Sequence, residues 1–167
     1  DHGLSVGKHG LMGKQSMFDH SIKVPLILTG PDIPKNKIVN HEVYLQDIMA
    51  TSLELTDLLP NKSTYFKSFL NLVKGIDNSP PYPQGIYGAY RNSQRMIRKD
   101  GYKLIVYPNI KKTLLFDLNN DPLEMHDISD KRQKRRVVKN LFESLMDLQR
   151  KHNDSLDLSS FFSLLSY

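Results

Sequence analysis

Apolar and polar positions change rhythm three times along the chain. Residues Asp1 to Ile22 have no period of their own and are rich in Gly, His, Lys and Ser, with Gly3, Gly7, Gly10 and Gly13 recurring every three or four positions. Such a stretch cannot build a core and reads as an ordered loop whose backbone approaches something closely. Val24 to Leu28 is then a nearly continuous apolar run closed by Gly30-Pro31, the pattern of a short buried strand. Val43 to Leu45 reads as a second short strand. Asp47 opens a helix whose stripe is Ile48, Met49, Leu53, Leu55 and Leu59, stopped at Pro60-Asn61. Strand, connection and helix in that order are what an α/β layered core supplies. A weaker helical patch covers Ser63 to Gly75.

Three prolines between Asn78 and Pro83 break regular structure, and a boundary is placed there. Beyond it the period becomes two. Ile86 to Arg91, Gln94 to Arg98, Lys103 to Tyr107 and Thr113 to Leu118 read as strands of a small antiparallel sheet. Asp100-Gly101 is a two-residue hairpin signal between two of them. Asp130 with Gln133 reads as a capping box for a last helix. Its apolar face is Val137, Val138, Leu141, Leu145 and Leu148, placed to cover the sheet. The expected fold class is α/β, with an α/β part over residues 1–77, a small α+β subdomain (antiparallel sheet plus helix) over 78–154, and a tail over 155–167.

Composition adds few constraints. The chain has 167 residues, 39% hydrophobic and 25% charged, the balance of an ordinary globular domain. It has no cysteine, which excludes disulfide and thiolate chemistry within it. A net charge of +5 favours anionic partners weakly: sulfate or phosphate esters, acidic glycans or nucleic acid. No run approaches the ~20 apolar residues of a membrane helix. The chain opens on Asp1 rather than Met, so it reads as cut ahead of that residue.

Four residues of the opening stretch carry candidate chemistry. Asp1 and His2, adjacent and followed by Gly3, can both ligate a divalent cation where the backbone turns sharply. Lys14 offers an ammonium to a sulfate or phosphate oxygen. His9 can hydrogen-bond a substrate oxygen or give a proton to a leaving group. Each also fits a bland role: a polar turn, a solvated lysine, a structural histidine. Asp19-His20 suits a turn or capping pair. The basic run Lys131 to Arg136 suits a solvated helix face, and a sulfated-polysaccharide contact is the functional alternative.

The combination is more specific than its parts. Asp1-His2-Gly3-Leu4, Gly7-Lys8-His9-Gly10, Gly13-Lys14, Val24-Pro25-Leu26-Ile27 and Gly30-Pro31 follow in order. That order resembles a segment of the sulfatase family, in the alkaline-phosphatase-like superfamily. Leu45 to Thr51 is similar to the family's helix start, with Ala50 where a Pro is usual. Arg98 to Leu104 resembles a C-terminal hairpin. Leu115-Phe116-Asp117-Leu118-Asn119-Asn120-Asp121-Pro122-Leu123-Glu124 resembles a signature that follows it.

The resemblance implies a partial alkaline-phosphatase-like sandwich ahead of the C-terminal subdomain. It implies that Asp1 and His2 are two ligands of a catalytic divalent cation, calcium in most sulfatases, that Lys14 contacts the sulfate and that His9 lies on the substrate side. His2 stands where Asn is commoner, and imidazole suits zinc or manganese better than calcium. The family's nucleophile is formylglycine, made within a Cys/Ser-x-Pro-x-Arg run. That run is absent from this chain, and it and the acidic metal ligands before it are expected upstream of Asp1. The implied activity is hydrolysis of sulfate esters on a sugar, with this piece inactive by itself. The implied partner is a sulfated small molecule or glycan, not nucleic acid, and family members are often secreted, periplasmic or lysosomal. A phosphate or phosphonate ester hydrolase of the same superfamily, and a non-catalytic module for anionic glycans, are the alternatives.

Overall fold

A four-stranded antiparallel sheet, made by the period-two stretch, is the centre of the larger compact unit. In this computed structural model the described residues are 2–58 and 65–162. The sheet has order β3-β4-β5-β6, with β3 Ile86–Tyr90, β4 Gln94–Lys99, β5 Tyr102–Tyr107 and β6 Lys112–Asp117. All three pairings are antiparallel, in a register that sets Leu104 between Ile97 and Leu115 and Ile105 between Met96 and Leu114. The Asp100-Gly101 turn forms as the pattern predicts, with both residues at positive φ (52° and 77°). A side chain in place of Gly101 would also strike the Asn119 amide.

Because side chains alternate along a strand, the sheet has two buried faces. Ile97, Leu104, Val106 and Leu115 pack against the last long helix, α4 (Arg135–Lys151), through Val138, Leu141, Phe142, Leu145 and Leu148. Leu158 and Phe161, the latter in the short helix α5 (Ser159–Phe162), dock on the same cluster, so this part of the tail is packed rather than frayed. Met96, Ile105 and Phe116 point the other way, onto Met17 and Phe18 of the opening segment. The start of α4 differs from the capping-box expectation. A 3-10 turn over Arg132–Lys134 precedes it, flanked by Lys131, with no side-chain cap from Asp130.

Close contacts divide the chain into two units, one of Asp1–Val24 with Gln84–Tyr167 and one of Pro25–Pro83. The second holds α2 (Asp47–Leu55) and α3 (Leu70–Lys74). Leu28, Ile33, Val39 and Val43 pack there on Phe69, Leu72 and Val73. The runs 24–28 and 43–45 belong to no strand among the described residues, and Leu45 lies in a turn, because a strand needs a neighbouring ladder and the local pattern cannot supply one. Helix α2 also turns a different side inward. Asp47, Ala50 and Thr51 are buried while Met49 and Leu55 are exposed. The Asp47 carboxylate accepts from the amides of Tyr44 (2.7 Å) and Lys67 (2.9 Å), and Thr51 Oγ1 accepts from the Phe69 amide at 3.1 Å. Those bonds satisfy polar groups that burial would otherwise penalise. The expected stop at Pro60-Asn61, and Leu59 of the expected stripe, lie outside the described residues, and α2 ends at Leu55.

Candidate functional site

The opening segment, expected as an ordered loop, folds as a miniature hairpin. Strands β1 (Ser5–Val6) and β2 (Met12–Gly13) pair antiparallel, Ser5 facing Gly13. A 3-10 turn over Lys8–Gly10 joins them, closed by Gly7 N–H to Leu11 O (2.9 Å) and Gly10 N–H to Gly7 O (3.0 Å). Ser5 Oγ donates to Lys8 O at 2.7 Å, holding the turn from beneath. Gly3 is needed for close approach: a Cβ there would lie 2.7 Å from the His20 carbonyl oxygen.

Lys14 follows β2 directly and is exposed. It lines a shallow hollow of about 510 Å³ with Leu4, Leu11, Met12, Gly13, Gln15 and Ser16, and is the one charged residue of that lining. The hollow therefore offers an exposed ammonium, beside Leu4, Leu11 and Met12, that can meet an anion as a compact point charge.

His9 is placed behind this hairpin. It sits at φ 57°, a left-handed conformation that histidine enters more readily than most residues. Its ring stacks on Phe18 with centroids 4.0 Å apart and planes 10° from parallel, and the His20 ring lies 5.8 Å from His9 and 5.9 Å from Phe18. His9 Nε2 and His20 Nδ1 are buried without a protein hydrogen-bond partner. Burial, then the charge of Lys8, pushes both imidazoles below the ordinary histidine value. His9 is thereby held as a neutral ring and does not line the Lys14 hollow. His2 is half-buried, with Nδ1 2.9 Å from Gly3 O. Asp1 lies outside the described residues. Among the described residues, no three His, Asp or Glu side chains gather closely enough to hold a metal ion, so a divalent-cation site is not complete within them.

Sequence pattern places Asp19 in a turn or capping pair and Glu124 at the end of a signature run, but does not pair either with Lys103. Asp19 opens the short helix α1 (Asp19–Ile22) and reaches the sheet, rather than serving as a simple turn residue. Its carboxylate meets the Lys103 ammonium and also Arg98 Nη1 at 2.9 Å. Lys103 pairs with Glu124 as well, and donates to Met17 O at 3.2 Å. Glu124 Oε2 accepts from the Asp19 amide at 2.8 Å. Lys103 and Glu124 are fully buried. Burial alone would raise the Asp19 carboxyl, but Lys103 and Arg98 outweigh it and hold Asp19 below the usual carboxylate range. Two cations and two carboxylates thus cancel beneath the hairpin. One signal was present: Lys103 stands among Ile105 and Tyr107 on one strand face, and a charged residue on a core face calls for a partner.

Comparison with known proteins gives a consistent picture. A family model described as N-sulphoglucosamine sulphohydrolase, C-terminal, matches residues 7–151. Arylsulfatase K of Gallus gallus is 34% identical over 143 residues, covering 78% of this chain and 27% of that protein. A solved 2-O GAG sulfatase superposes with a TM-score of 0.81 at 22% identity, covering 92% of this chain and 35% of that one. A solved protein in complex with its substrate D-glucosamine-2-N,6-O-disulfate superposes at 0.76 and 22% identity, covering 92% and 33%. The chain spans about a quarter to a third of the length of these proteins.

Proposed function

The chain belongs to the sulfatase family and has the fold of its C-terminal portion, and from that premise we propose that it contributes the sulfate-gripping lysine to a hydrolase of sulfate esters on sugars. The observation that carries the reading is the hollow in which Lys14 is the only charged lining residue among those described. Hydrolysis of a sulfate ester requires the sulfonyl oxygens to be held while negative charge grows on the leaving oxygen. An ammonium beside them stabilises that charge.

The remaining residues take supporting parts. Asp1 and His2 supply two ligands of a divalent cation, calcium by family resemblance, whose coordination other residues of the enzyme complete. When bound, such a cation neutralises charge on the sulfate and leaving group. His9, neutral and stacked on Phe18, orients the hairpin that carries Lys14 rather than donating a proton. The buried Lys103–Glu124–Asp19 group pins the same segment to the sheet. The names of the relatives, which include a 2-O GAG sulfatase and a protein bound to a glucosamine disulfate, support a sulfated glucosamine or other sulfated sugar unit of a glycan as the substrate class.

The test is release of inorganic sulfate by the intact gene product from N- and O-sulfated glucosamines, with phosphate monoesters alongside. Sulfate release that needs a divalent cation is expected. Preference for the phosphate esters, or inertness toward every sulfate ester, contradicts the proposal.

A further inference from the structure

Residues 130–139 carry six cations, Lys131, Arg132, Lys134, Arg135, Arg136 and Lys139, against one carboxylate, Asp130. Only Lys134 is engaged: its Nζ donates to Tyr102 Oη at 2.8 Å and lies 4.8 Å from that ring's centre. The other five cations are exposed. None of them forms an ion pair among the described residues.

Their position gives no folding benefit. They sit on the 3-10 turn and first turns of α4, where the helix has no acidic residue and no side-chain cap. Cations at that end oppose the helix dipole. Arg135 and Arg136 also face Lys139 at four and three residues' spacing, where like charges repel. The apolar side of α4 is committed to the sheet through Val138, Leu141, Phe142 and Leu145, so the basic side projects away from it. The segment bearing Lys14 reaches the opposite face of the sheet, through Met17 and Phe18. The patch and the Lys14 hollow are therefore separate.

We propose that this patch is a docking surface for a linear sulfated polysaccharide, distinct from the Lys14 hollow. A row of uncompensated cations on a rigid helix end matches a chain with repeated sulfates. Other polyanions fit less well. No aromatic residue lies within 130–139 to stack on nucleic-acid bases. The exposed positions from 131 to 140 are Lys, Arg, Gln and Asn, with no apolar side chain to enter a lipid surface. The inference rests on the sulfatase reading and deepens it, giving the enzyme a polymeric substrate held at two places.

The intact gene product is to be measured on immobilised heparin across a salt series, beside fully desulfated heparin, duplex DNA and phosphatidylserine vesicles. Binding is expected to heparin above the other three and to weaken steeply with salt. The variant Arg132→Ala/Arg135→Ala/Arg136→Ala/Lys139→Ala is expected to lose about tenfold or more in heparin affinity, with a shallower salt slope. It should keep its melting temperature and its turnover of a sulfated monosaccharide. Lys14→Ala should lose much less heparin affinity than the fourfold variant and keep its salt slope. Equal heparin binding by the fourfold variant, or tighter binding to DNA or vesicles, overturns the docking surface. Heparin binding through the patch in a protein inert to all sulfate esters leaves this inference standing and removes the proposed activity.

Discussion

His9 and His20 are held neutral by packing, and this makes stability depend on pH in a definite direction. Protonating either ring would place a charged, unpartnered N–H in a buried position. Both rings therefore have folded-state values below the free value of 6.5. The unfolded chain binds more protons in that window, so stability is full above it and falls as pH drops below about 6.5. The melting temperature should be flat from pH 8 to 7 and decline toward pH 5. His20→Gln should make the decline shallower. A melting temperature that rises on acidification over this range contradicts the packing described. The carboxylates act in a separate window. Asp154 is held low chiefly by its bonds to Arg95, and Asp19 by Lys103 and Arg98 against burial. Their contribution is present above the free carboxylate value of 3.8 and is lost only as pH falls through their lower folded values. No local pattern marked His9 as a stacked ring, because Phe18 and His20 meet it only after the hairpin has closed.

Strand β5 joins the two faces of the sheet energetically as well as geometrically. On one side Leu104 and Val106 enter the α4 core; on the other Lys103 holds Asp19 and Glu124. Lys103→Met leaves two carboxylates facing each other in a buried position, and is expected to cost about 3–5 kcal/mol in urea unfolding. Adding Glu124→Gln should recover part of that loss, since the pair acts as a unit. Additive losses from the two changes would show that the group is not coupled. The sheet was legible from sequence because alternation and the Asp100-Gly101 turn are local signals. The apolar side of α4 was legible for the same reason, through its helical spacing. Its start was not, because Asp130 competes with a backbone solution: Lys134 N–H bonds Lys131 O at 2.8 Å and starts a 3-10 turn instead. Apolar content alone predicts a strand over residues 24–28, but it does not say whether a neighbouring strand is there to form a ladder. The buried polar face of α2 was hidden for a related reason. Asp47 and Thr51 are inside because distant groups reach them: the Lys67 and Phe69 amides and the Tyr82 hydroxyl.

At the scale of the whole molecule, the family was readable because its signatures are spread along the chain: the glycine-rich opening, the hairpin and the run ending in Glu124. The structure gives the last of these a physical role, since Glu124 is the buried anion that fastens Lys103 and the Asp19 amide. The opening signature has a different role. It forms the hairpin that presents Lys14. The 167-residue chain contains no Cys/Ser-x-Pro-x-Arg run. Assayed by itself on an aryl sulfate, it should show no turnover with or without divalent cations; metal-dependent turnover would place a nucleophile within these residues. The most direct test of the central claim is the steady-state rate of Lys14→Ala in the intact gene product on its sulfated sugar. A loss of about 10²- to 10³-fold in kcat/KM is expected, with Lys14→Arg between the two because a guanidinium keeps the charge but not the geometry. A Lys14→Ala enzyme within about twofold of the unmodified protein would contradict the assignment of this lysine to the sulfate.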